Sequence, residues 1–300
     1  MRSEPLISVV IPTYNHARFL ESALQSVVDQ SYAEWEVIVV NNYSEDNTID
    51  VVNSFNDSRI KLINYKNHGI IAAGRNKGIS LSKGEYIAFL DSDDIWYRDK
   101  LKECIYLLNK DYDLVCHGEY WVTNSKNRRR IIYGPEKRAA YRSLLFDGNC
   151  ISTSAAVVRK KALDKVENFN ESPDMVTVED YDLWLRLSKS GAKIGFVERI
   201  LGEFRIHDMN NSKAVITNML AEQAVINQHI QLLGELNTID TLRARRRKAL
   251  VYYTAGRGFY AKHDYISALS YFQKSWLVYP FISRLYVAVV LSIFKALLKQ

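Results

Sequence analysis

The chain is poor in cysteine. Cys104, Cys116 and Cys150 are its three, they are widely spaced, and no CxxC pair occurs among 300 residues. That excludes a disulfide framework and a cysteine-built zinc or iron–sulfur site, and reads as buried thiols in a reducing compartment. Long apolar runs are missing too. Nothing approaches the roughly 18 consecutive apolar residues of a spanning helix. The start, MRSEPLISVVIPTYN, has no charged segment leading into a signal-length apolar stretch. The expectation is a cytoplasmic protein, peripheral at most to the inner face of the cell membrane. A lack of acids marks the last fifth: from Glu235 onward eleven Lys/Arg stand against three acids, a net of +8. The whole chain carries +6, so the remainder is near −2. A near-neutral body with a basic tail points to an anionic partner at the tail. No reading motif accompanies that charge, so nucleic acid is not expected.

What is present is ample core material, with 47% hydrophobic and 25% charged residues. LISVVI (6–11) and EVIVV (36–40) are short β-branched runs, Arg59 to Asn64 is a third, and Glu85 to Leu90 a fourth. Between them Phe19 to Gln30, Ile49 to Phe55 and Gly74 to Ser82 carry helical spacing. Strands alternating with helices predict an α/β fold, a mostly parallel sheet flanked by helices. Later strand-like stretches lie near 119–122 and 155–158, and VEDYDLWLRLSKSG (178–191) reads as a helix. After Asn211 the strand signal ends and an all-helical region follows. The expected division is a catalytic domain over 1–210 and a helical region over 211–300.

In parallel sheets ligands bind beyond the carboxyl ends of the strands. Three polar clusters stand there: PTYN (12–15), NNYS (41–44) and DSDD (91–94). In an extended DSD segment Asp91 and Asp93 face one side and can hold a divalent cation. The alternative is that Asp93 or Asp94 caps a helix beginning at Trp96. Asp94 reads as the cap.

The stretches SVVIPTYNHARFLESALQSVVDQSY, EVIVVNNYSEDNT, GIIAAGRNKGISLSKGEYIAFLDSDD and VEDYDLWLRL together resemble the family-2 glycosyltransferases, in that family's order, over about 6–210. The resemblance implies a GT-A-like, Rossmann-like nucleotide-binding fold and a metal-dependent, inverting sugar transfer. It implies that Pro12, Thr13, Tyr14 and Asn15 line a nucleobase pocket. Asn42 stands where the family has an aspartate accepting from the base. Asn41 replaces another aspartate and Tyr43 a small residue, which leaves the nucleotide open. It further implies that Arg75 lies near the diphosphate or base. Asp91, with Ser92, reaches the ribose or the metal's waters. Asp93 ligates Mn²⁺ or Mg²⁺, and His207, in FRIHDMNNS, joins it. Asp180 becomes the base that takes the acceptor hydroxyl's proton, and Glu179 contacts the acceptor. Trp184 is a candidate stacking platform for an acceptor sugar, beside the ordinary alternative of a core residue. Asp182 reads as a solvent-facing or cap acid. The expected partners are a UDP- or dTDP-sugar and a glycan or lipid-linked acceptor of bacterial surface polysaccharide. The rival is a catalytically silent nucleotide-sugar-binding module whose tail recruits partners.

In that tail Tyr252, Ala255, Gly256, Phe259, Ala268, Phe272 and Pro280 fall at the offsets of one tetratricopeptide hairpin over about 249–280. A lone repeat must pack on something else. The last helix, about 281–299, is apolar on most of its surface, with Arg284, Lys295 and Lys299 on one side. It reads either as a buried capping helix or as one lying in a membrane surface. RARRRK (243–248) puts five bases in six positions, on every face of a helix, and adds a peripheral anionic-membrane contact to the expectation.

Overall fold

The computed structural model describes residues 4–124, 127–207 and 214–298. The expected domain boundary near 210, residues 208–212 of the FRIHDMNNS stretch and Lys299 lie outside them. The chain divides into two compact units. One comprises 1–141, 150–173 and 179–207; the other comprises 142–149, 174–178 and 208–300. The second unit therefore takes two short pieces from inside the stretch expected to be catalytic.

In the first unit, strands β1 (Ile7–Thr13) and β2 (Trp35–Asn41) are buried along their whole length. Their β-branched residues meet helices on both faces, which is why they read as unbroken apolar runs. Helices α1 (Ala17–Val28), α2 (Thr48–Ser54) and α3 (Ile71–Leu81) alternate with β3 (Ile60–Asn64) and β4 (Tyr86–Phe89). α1 buries Leu20, Ala23, Leu24 and Val27, the i, i+3, i+4, i+7 stripe. α3 approaches β1 so closely that a Cβ on Gly78 would stand 2.4 Å from Val10 Cγ1. No larger residue fits there.

After β4 come β5 (Ile95–Trp96), α4 (Lys100–Leu108), β6 (Leu114–Asn124) and β7 (Asn127–Ile131). Then follow α5 (Tyr141–Asp147), β8 (Ala156–Arg159), α6 (Lys160–Lys165), α7 (Glu179–Lys189) and β9 (Ile194–Arg205). Among the described residues the sheet has nine strands, ordered β3-β2-β1-β4-β8-β6-β9-β5, with β7 on β6. The parallel part is the amino-terminal β3-β2-β1-β4 block. From β8 onward pairing is mixed: β8 runs antiparallel to both β4 and β6, while β9 runs parallel to β6.

Register positions the site. Thr13 pairs with Asn41, and Asn41 with Asn64, so three strands end in one polar row. Val10 pairs with Phe89, which brings Asp91 out at the same edge. The apolar core beneath is built from Val9, Ile11, Leu24, Val37, Val39, Leu90 and Trp96.

The second unit is helical: α5, α8 (Val215–Gln231), α9 (Thr238–Ala261), α10 (Tyr265–Val278) and α11 (Ser283–Leu297). α9 and α10 form the expected hairpin, with α9 starting earlier than the repeat pattern suggests. A Cβ on Gly256 would meet the Phe272 ring at 2.5 Å, and Ser275 Oγ donates to the Ala249 carbonyl at 2.8 Å. The lone repeat packs on α11: Ala249, Tyr253, Phe272, Ile282, Leu285 and Ala288 share one core.

The RARRRK charge is partly matched within this unit. Arg243 and Arg246 reach Asp147 at 3.2 and 3.6 Å, and Arg247, buried, pairs with Glu222. Arg245 and Lys248 stay exposed, so the matching by acids covers three of the five bases. Periodicity cannot see acids supplied by other helices.

Candidate active site at the strand ends

The first loop follows β1. Pro12 and Thr13 are buried, Tyr14 is half exposed, and Asn15 adopts a left-handed φ of 53°. Asn15 N–H donates to Ser44 Oγ at 2.9 Å, and its Oδ1 accepts from Glu45 N–H at 2.8 Å. PTYN and NNYS are thereby laced into one rim. Asn41 fastens it. Its Oδ1 accepts from Ser44 N–H and Oγ–H at 3.0 and 2.6 Å, and its Nδ2 donates to Asn64 Oδ1 at 2.8 Å. Asn42 Oδ1 accepts from Asn67 N–H at 2.9 Å, which uses one of its two lone pairs. Tyr43, exposed, holds φ at 55°, a conformation a bulky residue rarely adopts without function or strain.

The acidic segment is a turn rather than an extended strand: Asp94 N–H donates to the Asp91 carbonyl at 3.0 Å. The turn sends its carboxylates to different partners. Asp91 Oδ1 accepts from Arg75 at 2.7 Å, and Arg75 also donates to Glu179 Oε1 at 2.6 Å. Arg75 is only 3% exposed, so it is a buried clamp between two acids and not a surface helix residue. Both acids offset the cost of its burial.

Asp94 is no cap. No helix starts at Trp96, which lies in β5, and Asp94 is buried, accepting from Ser154 Oγ at 2.5 Å and Arg205 N–H at 3.0 Å. Burial pushes its carboxyl well above the usual range.

Asp93 Oδ2 lies 2.9 Å from His207 Nε2. The His207 ring stacks on Phe19, centroids 4.4 Å apart. Ser92 Oγ lies 2.8 Å from His16 Nδ1, and burial lowers the His16 pKa. Among the described residues no three His, Cys, Asp or Glu side chains gather as a closed metal site. One carboxylate beside one imidazole nevertheless fits an ion such as Mg²⁺ or Mn²⁺, which keeps waters and takes phosphate oxygens for its remaining positions.

Asp180 lies in the first turn of α7, where the helix dipole favours an acid. Its Oδ2 accepts from Thr153 Oγ1 at 2.9 Å. Burial, with Glu179 beside it, pushes its pKa up to about 6. A carboxylate so tuned is ionised at neutral pH yet accepts a proton readily.

Two acceptor-side expectations are corrected. Glu179 is buried and committed to Arg75, so it does not face an acceptor. Trp184 is 0% exposed and packs 6.4 Å from Phe89, centroid to centroid, in the core. No sugar can stack on it. Asp182 is likewise neither solvent-facing nor a cap: it is fully buried and accepts from Arg186 Nε at 2.8 Å, one helical turn on.

The residues that sequence reasoning passed over are Thr153, Ser154, His16 and Arg205. Thr153 and Ser154 stand in a hydroxyl run, ISTS (151–154), directly before the apolar β8. His16 directly follows PTYN. Those are the signals that could have found them.

Comparison with known proteins agrees with this geometry. The family model described as "Glycosyl transferase family 2" matches residues 8–167. The Escherichia coli protein WfgD, named a UDP-Glc:alpha-D-GlcNAc-diphosphoundecaprenol beta-1,3-glucosyltransferase, is 35% identical over 196 residues, 64% of this chain and 75% of that protein.

The chain belongs to glycosyl transferase family 2.

A Rickettsia felis protein named an uncharacterized glycosyltransferase is 33% identical over 219 residues, 70% of this chain but only 36% of that protein's length. The fold is that of solved GT-A proteins. Staphylococcus aureus TarS with UDP-GlcNAc superposes with a TM-score of 0.65 at 17% identity, covering 97% of this chain and 89% of that one. A Pyrobaculum calidifontis mannosyltransferase with GDP-Man and Mn²⁺ gives 0.61 at 14% identity, covering 98% and 86%.

Proposed function

We propose that this family-2 protein transfers one sugar, with inversion, from a UDP- or dTDP-sugar to a hydroxyl of a lipid-linked glycan in bacterial surface polysaccharide synthesis. The observation that carries the reading is the Asp180 carboxylate. It is raised toward neutrality and held by Thr153, on the unit whose strand ends carry the acidic turn. The acceptor class is supported by WfgD, whose name specifies a diphosphoundecaprenol-linked acceptor.

The residues divide the work. The Asn15–Ser44–Asn41 lacing shapes a rim for the nucleobase, with Asn42's remaining lone pair and the Tyr14 and Tyr43 rings beside it. Asp93 and His207 would hold a divalent cation, Mn²⁺ or Mg²⁺. When bound it neutralises charge on the departing nucleoside diphosphate. Arg75 pairs with Asp91 and fixes it toward the nucleotide, and through Glu179 it fixes the first turn of α7. Asp180 then takes the proton of the acceptor hydroxyl as that oxygen bonds to the anomeric carbon and the C1–O bond to the diphosphate breaks. One base suffices for a single displacement with inversion.

Two measurements test this. Asp180→Asn should cut nucleoside-diphosphate release in the presence of acceptor by about 10²–10⁴-fold while leaving donor binding intact. UDP with Mn²⁺ should raise the melting temperature, and Asp93→Ala should abolish the metal-dependent part. Undiminished turnover in Asp180→Asn would remove Asp180 as the base, and donor binding by the parent chain without any nucleoside-diphosphate release would favour the silent binding module. The absence of a metal-dependent shift with any nucleotide would remove the donor-site assignment.

A further inference from the structure

Helix α11 is turned the wrong way round for a helix surrounded by water. The side chains it buries are Leu285, Ala288 and Ser292. Its larger ones, Tyr286, Val287, Val290, Leu291, Ile293, Phe294, Leu297 and Leu298, are exposed, Phe294 to 58%. At 100° per residue these outward apolar positions sweep about 160° of the circumference, with Ser283 in the first turn the one polar position inside it. Arg284 and Lys295 lie together at one edge of the sweep, about 20° apart. α10 adds to the exposed apolar set with Trp276 and Leu277, and the turn between the helices adds Phe281, which is 81% exposed. A contiguous exposed patch of this kind marks an interaction site.

The charge says with what. From Tyr265 to the last residue there is no Asp or Glu, against Lys274, Arg284, Lys295 and Lys299. Three arginines of the α9 cluster are matched by Asp147 and Glu222, whereas this segment contains no acid of its own. A broad apolar face with bases at its edge and an aromatic fringe is the pattern of a helix lying in a lipid interface. A second copy fits poorly. A two-fold contact would set the same acid-free surface, Arg284 and Lys295 included, against itself. No described helix is long and apolar enough to cross a membrane, so the contact is in-plane.

We propose that the outward face of α11, with Trp276, Leu277 and Phe281, docks in-plane on an anionic lipid surface. This stands apart from the donor and base assignments above. The experiment is flotation of the full chain with zwitterionic phosphatidylcholine vesicles and with vesicles containing phosphatidylglycerol. The protein should float with the anionic vesicles and lose that partition in high salt. Arg284→Gln and Lys295→Gln should each weaken it about fivefold. The double variant Val290→Ser/Phe294→Ser should weaken it by about fiftyfold or more. Thermal melting of the double variant should match the parent within about 2 °C, since both side chains are exposed. Three results would overturn the proposal: no flotation with anionic vesicles, undiminished flotation of the double variant, or equal partition onto zwitterionic vesicles. A dimer by light scattering that the double variant splits would assign the face to a second copy instead.

Discussion

The strand-end site and the carboxy-terminal helix carry opposite burdens. In the first unit, ionisable side chains around the site are taken out of water and answered by partners: Arg75 by Asp91 and Glu179, Asp182 by Arg186, Asp94 by Ser154 and a backbone N–H. In the second, apolar side chains are left in water and α11 offers them no cover. The first arrangement is what preorganised chemistry needs, because an unpaired buried charge is intolerable and a paired one is rigid. The second is what a reversible docking surface needs, because the driving force must remain unspent until the partner arrives. Inference from a buried ion pair therefore runs inward, to the geometry of Asp180, and inference from an exposed Phe294 runs outward.

The sharpest way to break this contrast is Arg75→Leu. It strands the Asp91 and Glu179 carboxylates, and should cost about 3–5 kcal/mol of unfolding free energy by denaturant titration. A loss below about 1 kcal/mol would mean that the clamp does not organise the site. The contrast repeats within α11. Leu285→Ala, on the buried face, should cost about 2–5 kcal/mol. Phe294→Ser, on the outward face, should stay within about 0.5 kcal/mol. Equal losses at the two positions would show that the outward face is covered in solution.

One buried charge in the first unit lacks an acid. Lys100 is fully buried over the Trp96 ring, its Nζ makes no hydrogen bond within the described structure, and burial lowers its pKa to about 8. Lys100→Met should therefore stabilise the protein by roughly 1–3 kcal/mol at neutral pH. A depressed lysine pKa penalises the fold while the unfolded chain holds the proton. The gain should thus be full below about pH 8 and should fade by about pH 10.5, where the unfolded lysine also loses its proton. A pH-independent gain would assign it to packing.

The smallest effect expected is on the rate profile. With Asp180 near 6 and active when ionised, turnover should be level above about pH 7 and fall tenfold per unit below pH 6. A profile flat down to pH 5 would exclude Asp180 as the base.

Much of this was legible along the chain. The alternation of β-branched runs with helical stripes predicted β1 to β4 with α1 to α3 to within a few residues, because β1, β2 and β4 are buried along their length, β3 is half-buried at the sheet edge, and the helices pack one face inward. The polar clusters at 12–15, 41–44 and 91–94 do end neighbouring strands. What escaped was whatever depends on a partner distant in sequence. Trp184 and Asp182 lie on a helix with acids and aromatics on several sides, so local pattern could not say which side faces the core. Thr153 and Ser154 gave only a hydroxyl run. The DSDD segment was legible as acidic but not as a turn, which is why Asp91 and Asp93 part company instead of facing one way.

The amino-acid order by itself determined the strands and helices of the parallel block, the positions of the carboxylates at strand ends, the helical hairpin and the family, since each is written in local periodicity or contiguous motif. Tertiary structure alone decided that Arg75 joins Asp91 to a glutamate 104 residues away. It decided that three of the RARRRK bases find acids on other helices. It also decided which side of α11 is turned outward. A helix that is apolar nearly all round has no periodic signal for its buried face, and only the small residues that fit against α9 and α10 select it.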